Sequence, residues 1–129
     1  MLCMILRTTA ILLATSTSVF AGNQVWNVTE EGKAGVKSSQ GTWSVTVDTS
    51  NNISGKAEMQ MDNGNVVAYT INGSVKDSLY TVNLADRSDG KKGCVWSGHS
   101  PANAGTTSHG LIGEVHCTGS SDFIIRAGF

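Results

Sequence analysis

The stretch Ile53-Ser54-Gly55-Lys56-Ala57-Glu58-Met59-Gln60-Met61-Asp62-Asn63-Gly64-Asn65-Val66-Val67-Ala68-Tyr69-Thr70-Ile71 decides the fold. Ile53, Gly55, Ala57, Met59 and Met61 alternate with Ser54, Lys56, Glu58 and Gln60, and Val67, Tyr69 and Ile71 resume the alternation beyond the turn-forming residues. A period of two sends alternate side chains to opposite faces of a β-strand, and Asn-Gly between two such runs marks a hairpin. The pattern continues outward in both directions. Trp43, Val45 and Val47 precede it; Gly73 and Val75, then Tyr80, Val82 and Leu84, follow across Asp77-Ser78. Further on come Cys94, Trp96 and Gly98, then Leu111, Gly113, Val115 and Cys117, and last Phe123, Ile125 and Ala127. Gln24 to Thr29 is the candidate for one more strand at the front. Seven or eight short strands joined by tight turns predict an all-β domain, a small antiparallel up-and-down β-barrel or meander, with a small sandwich as the alternative.

Hairpin register sharpens this expectation, because paired residues must share a face. A three-residue Asn63-Gly64-Asn65 loop sets Met61 beside Val67, Met59 beside Tyr69, Ala57 beside Ile71 and Gly55 beside Gly73, with Gly64 or Asn65 at positive φ. A two-residue Asp77-Ser78 turn sets Val75 beside Tyr80, Gly73 beside Val82 and Ile71 beside Leu84. Placing Cys94 opposite Cys117 sets Trp96 against Val115 and Gly98 against Gly113, so the cysteine pairing and the apolar pattern agree. A disulfide between Cys94 and Cys117 is therefore expected.

The chain has 129 residues, nine Lys+Arg and ten Asp+Glu, for a net charge of −1. That is one domain, without the basic stripe that nucleic-acid binding requires. Residues 1–21 read as a secretory signal peptide: Arg7 is their only charge, Ala10-Ile11-Leu12-Leu13-Ala14 forms an apolar centre, and Val19 and Ala21 supply small residues before a cleavage at Gly22. Residues 22–129 form the single β domain. With Cys3 removed, Cys94 and Cys117 remain as an even pair, as a disulfide in an exported chain would require. The expected location is periplasmic or secreted, with membrane contact only in passage, through the signal peptide, and no nucleotide or other cofactor.

Gly41-Thr42-Trp43, Ile53-Ser54-Gly55 and Trp96-Ser97-Gly98 resemble motifs of avidin-type and other lipocalin-like barrels. The resemblance implies a barrel. It implies no biotin site, because Ser44-Val45-Thr46-Val47-Asp48 departs from the avidin pocket pattern.

No activated nucleophile is visible, and the acids are scattered singly over turns. Asp86 and Asp89 lack the ligand spacing of a calcium loop. On the expected register His99 and His116 lie four residues apart along one ladder, about 13 Å, too far for a shared metal. If the protein were an exported hydrolase or metal-binding protein, His99, His109 and Glu114 would be the residues to nominate; the sequence points instead to a non-enzymatic binding or accessory module of the cell envelope or exterior. Two places could bind. Trp43, Tyr69, Tyr80 and Trp96 could wall an interior site for a small apolar ligand, although they also fit simple core packing. The loop 100–108, with His99, Pro101, Asn103 and His109 on or beside it, could contact a protein partner. The alternating Phe123, Ile125, Ala127 and Phe129 also admit a small outer-membrane or structural barrel, against which stand Lys56 and Glu58 on the outer face.

Overall fold

The computed structural model describes residues 22–101 and 109–129. The proposed signal peptide and most of the 100–108 loop, Asn103 included, lie outside the described residues. Eight antiparallel strands run in chain order around a closed barrel: β1 (Gly22–Gly32), β2 (Lys37–Val47), β3 (Asn52–Met61), β4 (Val66–Lys76), β5 (Leu79–Ala85), β6 (Lys92–His99), β7 (Gly110–Thr118) and β8 (Phe123–Gly128). The front segment is thus a full strand, and it closes the barrel by pairing with both β2 and β8.

Alternation decides which side chains fill the interior. Trp26, Val28, Trp43, Val45, Ile53, Met59, Ile71, Val82, Trp96, Val115 and Ile125 point inward and are buried. Their neighbours Asn27, Thr42, Ser44, Lys56, Glu58, Thr70 and Asn72 point outward and are exposed. This is the inverse of a membrane barrel, whose apolar belt faces lipid and whose polar side chains face the lumen.

Two hairpins follow the expected register, and one does not. The β4–β5 turn pairs Val75 with Tyr80, Gly73 with Val82 and Ile71 with Leu84; both turn residues, Asp77 (φ 51°) and Ser78 (φ 65°), adopt the left-handed conformation of a type I′ turn. On β6 and β7, Trp96 faces Val115 and Gly98 faces Gly113. The Cys94–Cys117 disulfide joins these strands across a Cα separation of 4.0 Å. By the chain-entropy estimate a link over this span contributes about 3 kcal/mol. The β3–β4 hairpin corrects the sequence expectation. Its loop is Asp62-Asn63-Gly64, one residue earlier than expected, so Met59 faces Val67, Ala57 faces Tyr69, Gly55 faces Ile71 and Ile53 faces Gly73. The Gly64 N–H donates to the Met61 carbonyl at 2.9 Å and the Met61 N–H to the Asn65 carbonyl at 2.8 Å. Gly64, at φ 87°, takes the single left-handed position of this loop. The shift moves each partner by two residues, which keeps every side chain on its face.

Some inward glycines are required by close approach. A Cβ on Gly113 would fall onto the Ser97 carbonyl of the neighbouring strand, whereas one on Gly22 would meet nothing within 4 Å. Gly113→Ala is therefore expected to cost about 3 kcal/mol, at the upper end of the usual range for overpacking. Gly22→Ala should leave stability within about 0.5 kcal/mol of wild type, as surface changes generally do. Urea denaturation of the two variants checks the contrast.

Candidate binding site

The barrel has two unlike ends. At one end the connection between β5 and β6 folds back along β4, with the Ser88 N–H donating to the Ala68 carbonyl and the Ala68 N–H to Ser88 Oγ, both at 2.9 Å. This drives Arg87 into the barrel. Its guanidinium donates to both Glu30 carboxylate oxygens (2.9 and 3.2 Å) and to Asp89 (2.8 Å at the shortest). It also lies 4.5 Å from the centre of the Tyr69 ring and 5.2 Å from that of Phe123. Glu30 is only 4% exposed and Arg87 6%. Two further donors complete the carboxylate's shell, Ser39 Oγ and Tyr69 Oη, each at 3.0 Å. Tyr69 Oη in turn accepts from Trp43 Nε1 at 2.9 Å, which carries the network into the core.

Burial and the Glu30 charge together push the Tyr69 phenol far above its ordinary range, so it stays a neutral donor. Burial works most strongly against charge on Asp89, but the Arg87 hydrogen bonds, the Lys91 N–H and the charges of Arg87 and Lys91 together outweigh it and hold the carboxyl below its usual value. This end is sealed.

The other end is capped by aromatic rings. Trp26 stacks on Trp43 at 6.1 Å, meets Tyr80 edge-on at 6.0 Å, and is covered from outside by Phe129 at 5.2 Å. Its Nε1 donates to Gln24 Oε1 at 2.9 Å. Phe129 follows the last residue of β8; its N–H donates to the His109 carbonyl at 2.9 Å and its ring meets the His109 ring edge-on at 6.2 Å. Phe129 is 47% exposed and Val25 64%. Two grooves open here. One, of about 480 Å³, is lined by Gln24, Val25, His109 and Phe129. The other, of about 410 Å³, lies among Asn51, Val75, Tyr80, Leu111 and Phe129.

The residues nominated from sequence divide accordingly. Trp43, Tyr69 and Trp96 lie in the packed interior, Trp43 and Trp96 with no exposure at all. Trp43 and Tyr69 are hydrogen-bonded to each other. Trp96 lies over Gly98, edge-on to Trp43 at 5.3 Å, and its Nε1 is the one buried side-chain polar atom among the described residues without an acceptor. Tyr80 sits at the rim of the aromatic end, half buried. His99, Pro101 and His109 are exposed, and His99 Nδ1 lies 2.9 Å from the Ser100 carbonyl. Glu114 pairs with Lys33 at 2.8 Å, and His116 with Asp122. Among the described residues no three His, Cys, Asp or Glu side chains converge as a metal site.

Sequence reasoning passed over Glu30 and Arg87, and weighed Asp89 only against the spacing of a calcium loop. Glu30 shares parity with Trp26 and Val28, and a charge on an inward position is the signal that could have found it. Arg87, in a turn-rich stretch, carries no such mark. Phe129 was read only as the end of an alternation.

A comparison with family models finds no match, and none of the curated proteins matches. Among solved structures, a de novo designed fluorescence-activating β-barrel is similar, with a TM-score of 0.59 at 15% identity over 84% of this chain and 93% of that one. At that identity the likeness concerns the fold.

Breaking one partner of a buried ion pair leaves the other charge uncompensated. Arg87→Met is expected to destabilise the barrel by about 3–5 kcal/mol. The Glu30→Gln/Arg87→Met double variant should lose less than the sum of the singles, measured as a double-mutant cycle by denaturation. Asp89, with its folded pKa depressed, adds stability that is complete above the ordinary carboxyl value of about 3.9 and is lost as pH falls through the lower folded value. Melting temperature should therefore fall more steeply below about pH 4 in wild type than in Asp89→Asn.

Proposed function

We propose that the protein is an exported, non-enzymatic binding module that meets its partner at the aromatic end of the barrel. The observation that carries this reading is the contrast between the ends. One is sealed by a saturated ion-pair network, while the other leaves Phe129 and Val25 in water beside two grooves. A filled interior leaves recognition to surfaces, and His99 and His109, which flank the loop 100–108 in sequence, are exposed at this same end. Export is supported by the leader-like residues 1–21 and by the disulfide, which suits an oxidising compartment.

Amide chemical-shift mapping against a mixed set of small aromatic, aliphatic, sugar and short-peptide probes tests the site. Shifts are expected at Gln24, Val25, Tyr80, His109 and Phe129 and not at Glu30, Arg87 or Asp89. Perturbation centred on Trp43 and Trp96 would move the site into the barrel interior, and scattered or absent shifts would overturn the reading. Fractionation after osmotic shock, with the mass of a chain beginning at Gly22, checks export; a chain retained in the cytoplasm with residues 1–21 intact would refute it.

A further inference from the structure

The seam between β1 and β8 stops short of the aromatic end. Its last pair there is Asn27↔Gly128, whereas on its other side β1 stays paired with β2 as far as Gly22↔Val47. Among the described residues, Gly22 to Val25 therefore have a strand on one side only. Alternation decides which backbone groups are left over. In an antiparallel sheet one residue presents its N–H and C=O to the same neighbouring strand, and the next residue presents them to the other. The Phe129 N–H donates to the His109 carbonyl, so residue 129 faces β7, Gly128 faces β1, and its partner Asn27 faces β8. Counting in twos along β1, Val25 and Asn23 present their backbone groups the same way, past the end of β8. The route around the other side of the barrel agrees. The Met61 N–H donates to the Asn65 carbonyl, which sets Met61 toward β4 and Glu58 toward β2. Thr42, opposite Glu58, then faces β3, and Trp43 faces β1. Trp26, opposite Trp43, faces β2, and Val25 faces away from it.

Two N–H donors and two carbonyl acceptors, from Asn23 and Val25, thus lie along an edge about 13 Å long at the usual strand rise. A groove of about 480 Å³ lies here, with Gln24 and Val25 on one side and His109 and Phe129 on the other. An open edge of this kind is a template for a further strand, which Pro and charged side chains discourage. Gly22-Asn23-Gln24-Val25 contains neither, and Val25 is 64% exposed.

We infer that this edge takes an extended peptide segment of a partner protein, which adds to β1 as an antiparallel strand in line with β8. The inference rests on the proposed binding role of the aromatic end and names the chemistry of the partner. The occupant follows from continuity with the seam: the β1–β8 register, carried on, sets four guest residues opposite Val25, Gln24, Asn23 and Gly22 in that order. The first guest residue lies on the outer face, where an apolar side chain covers Val25. The second lies opposite Gln24, which shares the inward parity of Trp26. Gln24 Oε1 already accepts from Trp26 Nε1, which leaves the amide N–H groups to donate, and a Ser or Thr hydroxyl suits them. The guest therefore alternates apolar and hydroxyl side chains from its N-terminal end.

The test uses the peptide acetyl-Val-Thr-Val-Thr-Lys-amide, whose blocked ends keep terminal charges out of the comparison, followed by NMR of the protein. Saturable one-to-one binding is expected. At saturation, hydrogen exchange of the Asn23 and Val25 amides should slow about tenfold, while that of Gln24 and Trp26, which face β2, should change little. Methylating the backbone nitrogens of both peptide valines, the groups that reach β1, should weaken binding about tenfold. Val25→Pro removes one donor from the open side and keeps the ladder to β2; it should stay folded and bind about tenfold more weakly. Should that variant fail to fold, the methylated peptide carries the same comparison on the unaltered protein. Equal affinity for the two peptides overturns the inference, as does unchanged exchange at Asn23 and Val25 or an absence of saturable binding. Slow exchange of those two amides in the free protein would show the edge already filled, by its own chain or by a second copy, and also overturns it. Shifts at Tyr80 and Phe129 with aromatic or sugar probes, alongside failure with the peptide, would sink this inference and leave the binding role standing.

Discussion

Arg87 depends on Glu30, and the sealed end of the barrel depends on both. A guanidinium inside a protein is tolerable only when its donors are met, and here Glu30 and Asp89 meet them while two aromatic rings, Tyr69 and Phe123, lie against its faces. The arrangement joins parts far apart in sequence. Glu30 comes from β1, Ser39 from β2, Tyr69 from β4, Arg87 from the β5–β6 connection and Phe123 from β8. Replacing the charges with apolar groups of matched shape could give an equally stable barrel, since buried ion pairs often do no more than offset their desolvation. What an apolar replacement would lose is direction: a forked guanidinium and a two-oxygen carboxylate accept few alternative positions.

From this fixed end the order passes inward through a sequence of rings. The Glu30 carboxylate orients the Tyr69 hydroxyl, the hydroxyl orients the Trp43 indole, and Trp43 packs between Trp26 and Trp96. By the time the column reaches Trp26 and Phe129 it is held by stacking, by the bond from Trp26 to Gln24 and by the Phe129 N–H to the His109 carbonyl. Side-chain hydrogen bonds therefore thin out along the barrel axis, from the Glu30 network to the stacked rings of Trp26 and Phe129.

Much of the architecture was legible from parity. Trp43, Val45 and Val47, or Leu111, Val115 and Cys117, announce their face without reference to anything distant, and Asp77-Ser78 leaves room for only one short turn. The β3–β4 hairpin shows where parity stops. Slipping the pairing by two residues preserves both faces, so the pattern Met59, Met61, Val67, Tyr69 is satisfied equally by the expected register and by the one observed. Only the backbone of Gly64, and the carbonyl its N–H reaches, separates them. The sealed end was illegible for a different reason. The partnership of Glu30 with Arg87 spans 57 residues, and nothing local in Asp86-Arg87-Ser88 says that the chain turns inward there. The aromatic end stood between these cases: Tyr80 and His109 were visible as candidates, but the ring that covers Trp26 was not, because contact between β1 and Phe129 exists only once the barrel closes.

That closure has a kinetic meaning. Every strand pair except one joins neighbours along the chain, so seven hairpins can form by closing short loops. The exception is the seam between β1 and β8, which runs only from Asn27↔Gly128 to Gly32↔Phe123 and must bring together segments from opposite ends of the sequence. Its loop-closure entropy must be met before its contacts give anything back, which makes the seam the natural late event of folding and its rupture the natural early event of unfolding. The ion pair of Arg126 with Glu31 lies across it, and the buried carboxylate of Glu30 stands one residue away. The groups that shut the sealed end thus also guard the last joint to form.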